Sequence, residues 1–359
     1  MGNIDSKRKL MMFGGVLGVF GALLAWMGNP KNMAICIACF IRDTAGAMKL
    51  HQAAAVQYVR PEIAGIVLGA FILSLVTREY RSTAGSSPMI RFLLGVIMMI
   101  GSLAFLGCPL RMVIRMAAGD LNSYVALIGF GLGTVTGTLA LKRGFSLGRA
   151  YGTRSYSGYI LPSILVVILI ASIVTGAMAV SEKGPGSMHA PVLISLAGGL
   201  AFGMVSQRCR TCFAGGFRDL FLMRNYDLLT IIGGFFVVML IYNMASGGFK
   251  LSFDGQPVAH SQHLWNILGM YAVGFAAVLA GGCPLRQLIL AGQGSSDSAV
   301  TFLGLFVGAA CCHNFGFAAP ATESSPAVAG GLQGAGKAAV ILCIAVLFAI
   351  GFVPRKEQI

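Results

Sequence analysis

The chain has 359 residues, of which 56% are hydrophobic and only 11% charged, and its mean hydropathy is +0.80. That balance excludes a soluble globular domain and describes a polytopic membrane protein. A net charge of +14 would point to nucleic acid in a soluble protein, but here the basic residues cluster between apolar runs, where they report topology. No nucleic-acid partner is expected.

Ten runs of roughly 17 to 22 apolar residues have the length that crosses a bilayer. They lie at residues 10–27, 61–77, 90–106, 121–141, 159–180, 191–207, 228–245, 264–280, 299–315 and 338–353. Lys7, Arg8 and Lys9 precede the first run, and no small-residue cleavage site follows it, so it reads as a span and not as a removed signal. With a cytoplasmic N-terminus, the inward loops carry Arg78, Arg81 and Arg91, then Lys142, Arg143, Arg149 and Arg154, then Arg208, Arg210, Arg218 and Arg224, and finally Arg355 and Lys356. The outward loops 181–190 and 246–263 hold one lysine each, Lys183 and Lys250, and the loop 317–336 is weakly charged. This asymmetry predicts ten spans with both termini cytoplasmic. Segment 28–60 breaks the rule with Lys31, Arg42, Lys49 and Arg60, and part of it is expected to fold back into the membrane.

An internal repeat sets the architecture. The run Gly-Cys-Pro-Leu-Arg occurs at 107–111 and again at 282–286, an offset of 175 (283 minus 108). Cys36-Ile-Ala-Cys39-Phe recurs as Cys209-Arg-Thr-Cys212-Phe at an offset of 173 (209 minus 36), followed by Arg42-Asp43 and Arg218-Asp219. In the span after each elbow, Gly129 and Gly133 are matched by Gly304 and Gly308, small-residue faces suited to close helix contact, and Cys312 takes the place of Gly137 as a packing residue. The expected fold is all-α, with repeat 1 over 1–141, a basic loop and connecting span over 142–190, repeat 2 over 191–316, and an outer loop with a C-terminal span over 317–359. Each repeat has four spans, and the fifth span between them turns the second copy upside down. Segments of about eight to twelve residues after the cysteine pairs and after the elbows are too short to cross. They fit half-helices that meet at the midplane and line one central path.

Proline after each elbow cysteine suits a helix start and leaves the cysteine at the cap, where free backbone N–H groups favour an anion. Arg111 and Arg286 then fall in the first turn, where a cation opposes the helix dipole, so local helix stability does not account for them. Arg42, Arg111, Arg115, Arg218 and Arg286 all lie in or beside the half-helices. A cation at that depth costs roughly 2.5 to 3.5 kcal/mol unless it meets water or a partner, which makes these residues anion-attracting candidates, with snorkelling to the headgroups as the alternative. Cys36, Cys39, Cys108, Cys209, Cys212 and Cys283 are the candidate substrate path, a row of polarizable thiols suited to a soft sulfur- or selenium-bearing solute. The elbow cysteines Cys108 and Cys283 are expected to face each other across the midplane. The alternative is a membrane-embedded metal or redox protein using the four Cys-x-x-Cys thiols, although neither pair has neighbouring histidine ligands. No enzymatic activity, cofactor or resident metal is expected. Cys343, alone in the last span, reads as packing, and His51, Gln52, His313 and Asn314 receive no assignment.

The Cys-x-x-Cys-Phe motifs, the doubled Gly-Cys-Pro-Leu-Arg elbows and the paired four-span repeats together resemble the YeeE/YedE family of bacterial inner-membrane proteins, closest to the YedE branch associated with selenium metabolism. The resemblance implies a transporter that passes thiosulfate through an hourglass-shaped protein by successive hydrogen bonds from cysteine S–H groups. By position, the family cysteine after the first span falls on Cys39, with Cys36 as the alternative, and the elbow cysteines fall on Cys108 and Cys283. Paired cysteines in both repeats depart from the thiosulfate branch and make a selenium-containing anion a rival substrate. The resemblance also implies, as a partner, a small cytoplasmic sulfur-carrier protein of the TusA/SirA kind.

Overall fold

The computed structural model describes residues 2–320 and 330–353, with side chains from residue 6 onward. Arg355, Lys356 and the middle of the last outward loop lie outside the described residues. Among the described residues the regular structure is helical apart from one antiparallel pair of two-residue strands, Thr83–Ala84 with Tyr151–Gly152. Among the described residues, ten helical stretches are long and apolar enough to cross a membrane, so the chain is a multi-pass membrane protein.

The long helices are α1 (Gly2–Trp26), α3 (Pro61–Val76), α4 (Pro88–Phe105), α6 (Leu121–Lys142), α7 (Ile160–Val174), α8 (Val192–Arg208), α10 (Asp227–Ala245), α11 (His263–Leu279), α13 (Ser296–Asn314) and α14 (Gly334–Phe352). Four others are short: α2 (Ile37–Ala47), α5 (Pro109–Ala117), α9 (Phe213–Met223) and α12 (Pro284–Gly292). At ~1.5 Å per residue these reach about 14 to 17 Å, half of a ~30 Å hydrocarbon core.

The short helices start where the sequence supplies a cap. Pro109 and Pro284 occupy the first helical turn, behind extended Cys108 (φ −80°, ψ 171°) and Cys283 (φ −68°, ψ 169°). Before each elbow the preceding long helix must stop abruptly, which it does through a left-handed residue: Leu106 (φ 62°) after α4 and Gly281 (φ 81°) after α11. Glycine adopts that conformation freely, whereas a leucine there costs ~1–2 kcal/mol, so the first elbow is the more strained of the two.

Helix contacts come in exchanged pairs: α4 packs on α13 as α11 packs on α6, and α3 packs on α8 as α10 packs on α1. Small residues permit the approach. A methyl on Gly129 or Gly133 of α6 would fall on the carbonyl oxygens of Ile267 or Tyr271 in α11, and one on Gly304 of α13 would fall on that of Phe92 in α4. Gly308 lies against Val96 and Met99, and Cys312 is fully buried one turn further on. The helices α7 and α14 stand outside this exchange. The first packs on α3 and α12, the second on α11, α4 and α6.

The interior carries more charge than a membrane span tolerates unpaired. Arg42, Asp43, Arg60, Glu62, Arg111, Arg115 and Asp120 are all essentially inaccessible. Asp43 joins two arginines, accepting from Arg42 at 2.7 Å and from Arg60 at 2.8 Å, and Asp120 pairs with Arg115 at 2.6 Å. Such pairs offset much of the desolvation cost of either charge alone. Segment 28–36, which descends to α2, is pinned by Asn29, whose amide donates to the Ala34 carbonyl and to Glu62 Oε1, each at 2.8 Å.

Candidate functional site

Each repeat brings two half-helix starts together, and a cysteine sits at every one. In the first repeat Cys36 caps α2, its sulfur accepting the Cys39 N–H at 3.4 Å, and its thiol lies 3.8 Å from the Cys108 sulfur at the start of α5. In the second repeat Cys212 caps α9, accepting the Gly215 N–H at 3.1 Å, and lies 4.0 Å from Cys283 at the start of α12. Each elbow thiol therefore meets the cap thiol on the short helix that precedes it in the chain, Cys108 with Cys36 and Cys283 with Cys212. All four sulfurs are buried. Both pairs stand where two sets of uncommitted helix N-terminal N–H groups converge, a setting that favours negative charge.

The geometry also corrects the register of the repeat. Helices α2 and α9 open at Ile37 and Phe213, 176 residues apart (213 minus 37), which is the offset of the two Arg-Asp pairs (218 minus 42) and not the 173 of the Cys-x-x-Cys likeness. Cys36 is thus the counterpart of Cys212, and Cys39 that of Gly215. Cys209 falls at the C-cap of α8, outside the half-helix. The cap cysteine is the one whose sulfur can take up an N–H of its own helix, a criterion the motif spacing does not express. Among the described residues no three His, Cys, Asp or Glu side chains are arranged to hold a metal ion.

The five predicted arginines occupy different environments. Arg111 is fully buried and saturated: it donates to the carbonyls of Asn32 (2.8 Å), Leu106 and Val258 (3.2 Å), and its Nη1 lies 3.4 Å from Cys39 Sγ. Among the described residues no carboxylate forms an ion pair with it. Arg286, its counterpart in α12, is partly buried and makes no hydrogen bond or ion pair among the described residues, and its Nη1 is enclosed without a partner. Arg210 and Arg218 lie close enough to act on it electrostatically. Arg42 is neutralised by Asp43, though its Nη1 is also unpartnered, and Arg218 pairs with Asp219 at 2.8 Å while remaining 30% exposed. Arg115, paired with Asp120, lies over the Phe105 ring at 4.1 Å.

One further cluster had no assignment from sequence. The rings of His51 and His313 meet at 4.4 Å where α2 and α13 end, beside a polar cavity of about 550 Å³ that Lys49, Gln52 and Asn314 also line. His51 takes the Ala53 N–H on Nδ1 and gives its Nε2 proton to the Arg42 carbonyl at 3.0 Å, and burial pushes its pKa below the ordinary imidazole value. The two histidines are 262 residues apart (313 minus 51), so only the fold reveals them as a pair.

Residues 208–358 match the family described as "Sulphur transport". The chain is 29% identical over 111 residues to "Thiosulfate transporter TsuA" of Escherichia coli (strain K12), covering 30% of each chain. It is 31% identical over 111 residues to "Thiosulfate transporter TsuA" of Spirochaeta thermophila, covering 31% of this chain and 32% of that one. The chain thus aligns with about a third of the length of these curated relatives. The matched region 208–358 is less than half of the chain and contains the Cys212 and Cys283 pair and Arg286, so the likeness to the sulphur-transport family rests on the second half of the molecule.

Proposed function

We propose that this protein transports a small sulfur-containing anion of the thiosulfate class across a bacterial inner membrane, passing it from the Cys36 and Cys108 thiols to the Cys212 and Cys283 thiols. The observation that carries this reading is the duplicated cap-to-cap contact, with sulfurs 3.8 and 4.0 Å apart and an arginine in the first turn of each elbow helix. Helix N-terminal N–H groups share the negative charge, and S–H groups offer weak donors to a soft, polarizable sulfur. Weak donors suit conduction, because each station must fill and then empty. No bond to carbon or sulfur in the solute needs to break, so the protein acts as a carrier and not as a catalyst.

The exchanged helix pairs support two inverted repeats, 1–141 and 191–316, with both termini cytoplasmic and the second thiol pair on the cytoplasmic side. Unpartnered Arg286, with Arg210 and Arg218 near it, would hold the anion there until a small sulfur-carrier protein of the TusA/SirA kind accepts it. Uptake of labelled thiosulfate, selenite and selenosulfate into cells expressing the parent chain or its Cys36→Ala, Cys108→Ala, Cys212→Ala and Cys283→Ala variants tests the proposal. Thiosulfate uptake lost in all four, with protein still inserted, is the expected result. Preference for a selenium species would reassign the substrate, and uptake in the Cys108→Ala, Cys283→Ala double variant would remove the thiol path altogether.

A further inference from the structure

Helix α7 belongs to neither repeat, and it leaves a gap. It packs on α3 and α12 but not closely on α13, and between α7, α13 and the outer side of α2 lies an elongated cavity of about 400 Å³. Ile41 and Met48 of α2, Ile164 and Ile168 of α7, and Ala299 and Phe306 of α13 form its apolar walls. Its lining on α13 runs from Ser295 to Phe306, which at ~1.5 Å per residue is about 16 Å, or half of a ~30 Å hydrocarbon core. A helix, 10–12 Å across with its side chains, is too wide for that space. An extended hydrocarbon chain confined to one leaflet fits it.

One end of the cavity is polar, and its surroundings are those of a headgroup zone. Ser157, Ser295 and Ser296 line that end. Segments 78–83, 153–159 and 293–296 converge there: Thr83 N–H donates to Gly294 O at 3.2 Å, Thr153 N–H to Ser82 O at 2.9 Å, and Tyr80 Oη to Ser155 O at 2.7 Å. Tyr80 stacks on Tyr159 at 5.3 Å with Tyr156 exposed beside them, the aromatic signature of a membrane interface. Arg78, Arg81 and Arg154 on these segments are exposed and carry no side-chain hydrogen bond or ion pair among the described residues. The carboxylates nearby are already engaged, Glu79 by the Gln207 amide and Asp297 by the Gly85 and Ser86 N–H groups, so the three arginines around the open end of an acyl-sized slot keep a net positive charge that complements a phosphate headgroup.

We propose that this cavity holds one acyl chain of an anionic phospholipid, with its phosphate against Arg81 and Arg154. The lipid then fills the gap behind α2 and supports the half-helix whose cap is Cys36. The inference does not depend on which anion the protein carries. Native mass spectrometry of the full chain in mild detergent, with phosphatidylglycerol and phosphatidylethanolamine added in equal amounts, reads it directly. The parent should retain one phosphatidylglycerol in preference to phosphatidylethanolamine. Ala299→Trp, which fills the slot, should lose that adduct. The surface variant Arg81→Gln, Arg154→Gln should remain monodisperse and lose the headgroup preference. A parent without a retained lipid, an adduct that persists in a folded Ala299→Trp protein, or an unchanged preference for phosphatidylglycerol in the double arginine variant would each overturn the assignment. Should Ala299→Trp fail to fold, the arginine pair decides alone.

Discussion

The two elbow arginines occupy matched sequence positions, yet their environments predict opposite consequences of the same substitution. Arg111→Gln removes a fully buried guanidinium that serves the carbonyls of Asn32, Leu106 and Val258 together with Cys39 Sγ. A glutamine amide has only two N–H donors, so at least one buried carbonyl loses its partner, at ~1–3 kcal/mol, and charge-assisted bonds worth ~1.5–3 kcal/mol each are weakened. The expected loss of stability is about 2 to 5 kcal/mol. Arg286→Gln breaks no hydrogen bond or ion pair among the described residues, so its effect on folding should stay within ~0.5 kcal/mol. Under the proposed function, what it removes is a charge-assisted bond to the passing anion, ~1.5–3 kcal/mol, or roughly tenfold to a hundredfold in apparent affinity. Heating the purified variants and following the monodisperse fraction by size exclusion separates these effects from the KM for thiosulfate uptake. Arg111→Gln should lose thermal stability, and Arg286→Gln should raise KM with stability unchanged. An Arg286→Gln protein with the KM of the parent would show that the side chain only snorkels, and an Arg111→Gln protein as stable as the parent would refute the saturation argument.

Three further outcomes follow from the same geometry. Because α9 is capped by Cys212 and Cys209 lies outside it, Cys212→Ala should abolish uptake while Cys209→Ala and Cys343→Ala leave most of it; equal loss in the Cys209 and Cys212 variants would restore the motif-based register. Gly129→Leu or Gly304→Leu forces a side chain into a carbonyl of the facing helix and should cost at least ~1–3 kcal/mol, seen as reduced monodisperse protein after extraction; normal yields of both would mean that these helix pairs do not approach closely. Reporter fusions at Gly144 and Pro257 should read cytoplasm and exterior respectively, and signals from the same side would end the inverted-repeat proposal.

The ten apolar runs, the elbows and the glycine faces were legible in the sequence because each is a local or periodic property. Bilayer thickness sets the length of a span, proline fixes the start of a short helix, and small residues spaced four apart share one helix face whatever lies opposite. Segment 28–60 was also readable as an exception: its basic residues violated the loop asymmetry, and the fold pairs Arg42 and Arg60 with Asp43 in the interior.

The register of the cysteine pairs needed the tertiary structure. Two Cys-x-x-Cys motifs look equivalent as strings, but a helix start is decided by which sulfur takes up an orphan N–H, and that places Cys36 with Cys212 and leaves Cys209 outside. The Arg-Asp pairs carried the correct offset in the sequence all along. The difference between Arg111 and Arg286 had no such local trace. It depends on carbonyls delivered by segment 28–36 and, from 147 residues away, by Val258. Sequence fixes which residues carry charge and thiol, whereas the fold alone determines which of those charges is already satisfied by distant backbone and which is left for a ligand, because in a low-dielectric interior each buried donor is answered by whatever acceptor the packing brings to it.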